Sequence, residues 1–279
     1  MPVWITPEQM RTKNKTMDFD LLKAHAINQP KEFLYSHPEY RLTIWEFLRL
    51  KYFVFLRKYG YSVATIVGHK EFYGLDFFVN KHVLIPRPDT EMMVAEVLNL
   101  KSEILNHKSI LVDVGTGSGC IPIAILKTLK HKRIKTLAID ISRAALRVAK
   151  KNARTHNVNI EFLRGNLLQP INKNSIHETQ IIITANLPYL TEKQFQDEPS
   201  IQREPKSALV ADNSGLALYE ELLQQIKFLP TPHNLLLLLE IDPSQTEAIN
   251  KLITKYLPES KLEIKKDLSG LDRLVVINC

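Results

Sequence analysis

The tetrapeptide Asn186-Leu187-Pro188-Tyr189 has residue types that could hold a planar NH2 group. An amide-type nitrogen is a poor nucleophile because its lone pair is delocalised. An enzyme that alkylates one must grip both N–H bonds and aim the nitrogen. The Asn186 side-chain oxygen and the Leu187 backbone carbonyl supply two acceptors for that purpose. Pro188 biases Leu187 toward extended backbone, which helps hold the carbonyl in place, and Tyr189 offers a flat wall for a planar group. Asn and Pro are also ordinary turn residues, so the tetrapeptide has to be weighed with what precedes it.

What precedes it is Val112-Asp113-Val114-Gly115-Thr116-Gly117-Ser118-Gly119, set between a strand pattern and a helix pattern. Glycines there let the backbone turn sharply and approach a ligand, and the free amides of the helix start meet polar or anionic groups. The G-x-G-x-G spacing differs from the dinucleotide G-x-G-x-x-G. Asp140 lies 21 residues beyond Gly119, at the end of the next strand pattern. A carboxylate there can accept both hydroxyls of a ribose; it could equally cap the helix that starts near Ser142. Gly165-Asn166-Leu167 follows the third strand, where Asn166 could bond a base and Leu167 cover its face. A nucleoside-type cofactor is expected, held by Asp113, Gly115, Thr116, Gly117, Ser118, Gly119, Asp140, Asn166, Leu167 and Asn186. Alkyl transfer from a sulfonium fits such a site, because charge disappears as the reaction proceeds. The step needs alignment and dryness more than an acid–base pair.

These segments must be positioned by a scaffold, and the hydrophobic pattern supplies one. Strand-like runs at 110–114, 136–139, 160–163, 181–185 and 235–241 alternate with helical patterns at 120–129, 142–156, 216–228 and 246–256. Such alternation predicts an α/β fold with a mostly parallel sheet and helices on both faces. Runs at 262–266 and 274–278 read as a closing antiparallel pair. Earlier in the chain, 18–75 looks helical; the apolar cluster within 43–59 is read as the core of a small bundle that ends at Gly60. Strand composition broken by turn residues at 71–86 predicts a β-hairpin linker. Arg87-Pro88-Asp89-Thr90-Glu91 then opens a helix with Pro and acidic residues in its first turn.

The chain has 279 residues, of ordinary globular composition, and a net charge of +7. Its first 75 residues carry 11 Lys+Arg against 7 Asp+Glu, a bias that suits an acidic partner. Two cysteines exclude a disulfide framework and suggest a reducing, cytoplasmic compartment. No apolar run approaches membrane length, and no CxxC or HExxH spacing proposes a metal.

Over nearly its whole length the chain resembles the HemK/PrmC-type peptide chain release factor glutamine N5-methyltransferases. The resemblance is carried by Glu32-Phe33-Leu34, by 68–74 and by Leu84-Ile85-Pro86-Arg87-Pro88-Asp89-Thr90-Glu91. It continues through 113–119, 186–189, Glu204-Pro205-Lys206-Ser207-Ala208-Leu209, Glu240, Gln245 and Gly270-Leu271-Asp272-Arg273. It implies a seven-stranded Rossmann-like class I methyltransferase domain at 89–279, a β-hairpin linker at 76–88 and an N-terminal helical substrate-binding domain at 1–75. It also implies S-adenosylmethionine as cofactor and the glutamine of a Gly-Gly-Gln loop in a class I release factor as target. Asn186, Leu187, Pro188 and Tyr189 would be the catalytic residues of a cytoplasmic monomer with no membrane, metal or stable nucleic-acid partner. Leu187 departs from the Asn-Pro-Pro-Tyr of that family, Asn166 from a common aspartate and Asp242 from a glycine; 61–67 lacks the usual proline-containing pattern. Asn-Leu-Pro-Tyr is also the form seen in rRNA adenine-N6 methyltransferases, and ribosomal-protein glutamine methyltransferases share much of the motif set, so both are alternatives.

Overall fold

The computed structural model describes residues 16–100, 109–129, 134–172, 180–229 and 235–279. The described residues begin with four helices, α1 (Thr16–Ala26), α2 (Lys31–Ser36), α3 (Ile44–Lys58) and α4 (Val63–Val67). A capping box sets the start of α3: the Thr43 side chain accepts from the Glu46 amide and Glu46 reaches back to the Thr43 amide. Ser62 caps α4, and Gly68 ends it in the left-handed conformation at φ 83°. The junction that lacks the family's proline pattern is therefore a capped single turn and a half of helix.

The apolar cluster of 43–59 divides between two faces, contrary to its reading as plain core. Leu50 is fully buried, and Phe53 and Val54 pack with Phe19, Leu22 and Ala26 of α1. On the opposite face Trp45, Leu48, Tyr52, Phe55 and Tyr59 are 47–74% exposed. Their spacing of three and four residues makes one continuous stripe. Among the described residues α1 and α4 bury one face of α3, and none covers the other.

The hairpin also differs from expectation. It is formed by β1 (His69–Phe72) and β2 (Leu75–Phe78), paired antiparallel about Tyr73-Gly74. It therefore starts earlier than the 76–88 expected for a linker. The apolar residues that suggested strand beyond it, Val79, Val83 and Ile85, are buried without a ladder. A short 3-10 turn over Pro88–Thr90 leads into α5 (Glu91–Leu98).

The rest is a seven-stranded sheet flanked by helices: β3 (Ile110–Val114), α6 (Cys120–Leu129), β4 (Lys135–Asp140), α7 (Arg143–Thr155), β5 (Glu161–Arg164), β6 (Ile181–Ala185), α8 (Glu192–Asp197), α9 (Ala217–Lys227), β7 (Leu235–Glu240), α10 (Thr246–Tyr256), β8 (Lys261–Lys266) and β9 (Asp272–Asn278). The order across the sheet is β5-β4-β3-β6-β7-β9-β8, all parallel except β9. Strands β3, β6 and β7 are buried throughout because helices cover both faces. Val112, Ile183 and Leu237 turn toward α9 and α10, whereas Leu111, Ile182 and Leu236 turn toward α5 and α6.

Asn152 of α7, 1% exposed, joins the hairpin to the sheet domain. It accepts from the Phe78 amide at 2.9 Å and donates to the carbonyls of Phe78 and Ser118 at 3.0 and 2.9 Å. Asn152→Ala would leave these backbone groups buried and unpaired. It is expected to lower stability by about 3 kcal/mol, read as a lower urea midpoint.

A second buried polar group is Asp113 in β3. The Thr184 hydroxyl donates to its Oδ1 at 2.7 Å, while Oδ2 has no hydrogen-bond partner among the described residues. Burial, opposed by the neighbouring Thr116 and Thr184 hydroxyls, pushes its carboxyl up to about 7. A carboxyl raised on folding contributes stability that is full below its unfolded value and lost as pH rises through the folded one. Asp113→Asn removes this dependence. In urea titrations the variant should gain on the parent progressively from pH 4 to pH 7, by a few kcal/mol in order of magnitude, with no further gain above.

Candidate active site

Register brings the two sequence signals together. Val114 pairs with Ala185 in the β3–β6 ladder, so the glycine loop and the tetrapeptide leave adjacent strands at the same end. The order of strands reverses at this pair, where open α/β sheets place their ligands. A cavity of about 440 Å³ opens there. Gly115, Thr116, Gly117, Ser118, Asp140, Asn166, Leu167, Asn186, Leu187 and Pro188 all line it. It has the size of a small-molecule site.

The glycine loop suits a close-fitting ligand. Gly115, Gly117 and Gly119 have φ of 73°, 54° and 79°. A Cβ on Gly115 would sit 3.0 Å from Leu187 Cδ2, and one on Gly119 would sit 3.1 Å from Ile123 Cδ1. At these positive φ values a side chain would be strained, and its Cβ would press on a neighbour that must give way. Asp140 accepts from the Gly117 amide at 2.9 Å and the Ser142 amide at 2.8 Å. The helix cap of α7 is the Ser142 hydroxyl, which accepts from Ala145, so Asp140 is free of that duty. Burial raises the Asp140 carboxyl, and the two amides pull it back.

Three residues expected at the cofactor or substrate, Gly119, Asp113 and Tyr189, do not line the cavity. Asp113 lies behind the glycine loop at 1% exposure. Tyr189 turns inward: its hydroxyl donates to Glu240 Oε1 at 3.3 Å, and its carbonyl accepts from Gln245 Nε2 at 2.8 Å. Burial pushes that phenol well above its ordinary range. Asn166 lines the cavity while donating to Glu221 Oε1 at 2.7 Å. Leu167 holds a left-handed φ of 50°, a strain supported by its burial in the core and by the Leu168 amide bonding Gln225 at 2.8 Å.

Leu187 is 3% exposed and packs in the main core, against the bare face of Gly115. Its amide donates to the Tyr219 hydroxyl at 3.3 Å. That hydroxyl gives its proton to the Glu240 carbonyl, with the Leu187 carbonyl 3.4 Å away. The tetrapeptide is thus held by side-chain burial and Tyr219, where the family pattern has a second proline ring. Gly215 closes the arrangement: any Cβ there would fall 1.9 Å from the Tyr189 carbonyl oxygen.

The motifs that carried the family resemblance find their work here. Glu204 of the Glu-Pro-x-x-Ala-Leu segment is almost wholly buried; its Oε1 meets Arg87 at 2.6 Å and its Oε2 accepts from the Ile85 amide at 3.0 Å. This pair ties two walls of the cavity, since Pro86, Arg87, Pro205, Ser207 and Ala208 all line it. Thr90 of the Arg-Pro-Asp-Thr-Glu segment lines the cavity too, and its Oγ1 accepts from Asn186 Nδ2 at 3.0 Å. The sequence marked these residues by resemblance alone. Their partners lie 96 to 119 positions away, beyond the reach of any local pattern.

Residues 90–202 match the model of the Methyltransferase small domain family. Among solved structures, the catalytic domain of hMettl16 in complex with MAT2A 3'UTR hairpin 1 superposes with a TM-score of 0.58 at 15% identity, covering 96% of this chain and 93% of that one. This likeness is one of fold, the class I methyltransferase fold. Sequence relatives are closer. The release factor glutamine methyltransferase of Enterococcus faecalis is 37% identical over 77% of this chain and 75% of its own. That of Mycoplasma mycoides is 34% identical over 95% and 92%. With identity at that level over most of both chains, the chain belongs to the release factor glutamine methyltransferase family.

Proposed function

We propose that the protein transfers the methyl group of S-adenosylmethionine to the side-chain amide nitrogen (N5) of the glutamine in the Gly-Gly-Gln motif of a class I release factor. The observation that carries this reading is the orientation of Asn186: its Nδ2 is taken by Thr90, so its Oδ1 is left for the cavity.

The cavity suits the cofactor. Gly115, Thr116, Gly117 and Ser118 would lie along it, with Asp140 toward the ribose and Asn166 and Leu167 toward the base, and Gly119 would hold the loop against α6 and α7. Asp113 would act from behind, by shaping the loop. Bound there, S-adenosylmethionine supplies a methyl carbon made electrophilic by its sulfonium. The residues of the chain supply the grip. Asn186 Oδ1 and the Leu187 carbonyl accept the two N–H bonds of the target amide and turn its nitrogen toward the methyl carbon. Pro188 walls the entry, while Tyr189 braces the tetrapeptide from within. Closure of the Arg87–Glu204 side of the cavity keeps water from the reacting atoms.

We assign substrate docking to the helical unit, with the hairpin at 69–78 as its joint to the methyltransferase domain. The stripe of Trp45, Leu48, Tyr52, Phe55 and Tyr59 supports this, because exposed apolar patches of such length mark interaction surfaces. Arg49, Lys51 and Lys58 flank it with positive charge, suited to an acidic protein surface. Cys120 and Cys279 are free thiols, in keeping with a cytoplasmic enzyme, which we read as a monomer without a stable nucleic-acid partner.

Transfer of labelled methyl should occur to an intact class I release factor and should be absent with its Gly-Gly-Gln→Gly-Gly-Ala variant and with rRNA. Asn186→Ala should lower that transfer by at least about a hundredfold while S-adenosylmethionine still binds. Label on rRNA, or full turnover by the Asn186 variant, would refute the reading. The double change Trp45→Ser and Tyr52→Ser should raise KM for the intact factor about tenfold with kcat held, as expected for lost docking surface. Steady-state kinetics on intact factor measures this, and an unchanged KM would remove the stripe from substrate binding.

A further inference from the structure

The helical unit carries the apolar stripe, and the cavity lies in the sheet domain. The two are joined through the hairpin, where Asn152 holds the Phe78 backbone. One joint fixes a distance but leaves room to swing. A large substrate docked on α3 reaches the cavity in a defined pose only if a second contact, on a different element, fixes the angle.

Such a contact stands at the end of α3. Its last turn closes in a Schellman arrangement. The Tyr61 amide donates to the Leu56 carbonyl at 3.2 Å and the Gly60 amide to the Arg57 carbonyl at 3.2 Å, with Gly60 left-handed at φ 89°. The Arg57 side chain ties this turn to α1, by an ion pair with Asp18 at 3.0 Å and a hydrogen bond to the Tyr61 carbonyl at 3.3 Å. The Tyr59 carbonyl is one of those that a helix end leaves without an intrahelical partner. Arg203, 144 positions later, donates to it from Nε at 2.9 Å. Its guanidinium lies over the Tyr61 ring, 5.5 Å from the centroid. Its stem passes the bare face of Gly60, where an added Cβ would lie 3.7 Å from Arg203 Cγ. A cation at the carboxyl end of a helix is favoured by the helix dipole as well.

The neighbours of Arg203 in the chain give this contact its consequence. Next to it is Glu204, whose carboxylate holds Arg87 at 2.6 Å and the Ile85 amide at 3.0 Å. Pro205, Ser207 and Ala208 follow and line the cavity. Tyr59 is the last member of the stripe, with its ring 4.4 Å from that of Phe55. One peptide bond therefore separates a hold on the stripe-bearing helix from a hold on the cavity wall.

We propose that Arg203 is a positioning residue that fixes the angle between the stripe on α3 and the cavity, so that a protein bound on the stripe presents its target side chain in line with Asn186. The proposal rests on the reading that the stripe docks the release factor. Arg203 does not itself line the cavity, so its effect belongs to substrates large enough to reach α3.

Arg203→Ala should lower kcat for the intact release factor about tenfold while KM stays within about twofold. With a Gly-Gly-Gln peptide too short to span the cavity and α3, the same variant should turn over as the parent does. A role confined to bracing Glu204 would depress both substrates alike. The angle can also be read without turnover. Spin labels on Lys51→Cys of α3 and Lys251→Cys of α10, both exposed positions, are placed in a Cys279→Ser background that leaves only the buried Cys120. They should give one narrow distance distribution in the parent and a broadened one with Arg203→Ala. The proposal is overturned if Arg203→Ala keeps kcat for the intact factor within about twofold, if peptide and intact factor lose equally, or if the label distances do not broaden. The double change Trp45→Ser and Tyr52→Ser separates the two ideas. An unchanged KM in that variant sinks the docking stripe itself; a raised KM there beside an unimpaired Arg203→Ala leaves the stripe standing and removes Arg203 from its alignment.

Discussion

Everything at the site follows from the parallel ladder between β3 and β6. Because Val114 lies beside Ala185, the chain segments that follow them emerge side by side, and a glycine loop and the Asn-Leu-Pro-Tyr tetrapeptide, separated by about seventy residues, become two walls of one cavity. The ladder itself is held from both faces: α9 and α10 on one side, α5 and α6 on the other, each meeting alternate side chains of the same strands. A slip of one residue would exchange those faces and would also carry Asn186 away from Thr90 and Glu240. The packing of the sheet and the chemistry of the site are thus secured by the same register.

Around that ladder the structure adds long-range clamps. Glu204 joins the segment before α5 to the loop after α8, Asn152 joins hairpin, α7 and glycine loop, and Gln245 with Tyr219 fixes the tetrapeptide from the side of β7 and α10. Each clamp buries a polar group with partners whose loss would leave backbone unsatisfied. Each joins an element of the cavity wall to another element distant in sequence. The cavity is therefore preformed, as a reaction that depends on alignment requires.

Much of this was legible from sequence. Strand and helix patterns located the sheet elements because buried parallel strands are continuous apolar runs and their helices are amphipathic. The glycine spacing, Asp140 and Asn186 could be singled out because each lies at a strand end, where local chemistry and position coincide. The hairpin was misplaced since Val79, Val83 and Ile85 have strand composition but are buried as irregular chain, which composition cannot distinguish. The α3 aromatics were taken for core because periodicity tells which residues share a face, not whether anything covers that face. Tyr189 was expected on the cavity wall and turns toward Glu240, a partner 51 residues away. Thr90, Glu204 and Tyr219 act only through tertiary partners, and no local pattern assigns them a task.

The burial of Leu187 against Gly115 has an evolutionary side. The acceptor proposed at position 187 is a main-chain carbonyl, which every amino acid carries, so the proposed grip is indifferent to the side chain there. The side chain answers instead to the space left by the missing Cβ at position 115. Drift at 187 is then governed by volume and not by reactivity. Exchange of a ring for a branched aliphatic at that position leaves the proposed carbonyl acceptor in the backbone unchanged.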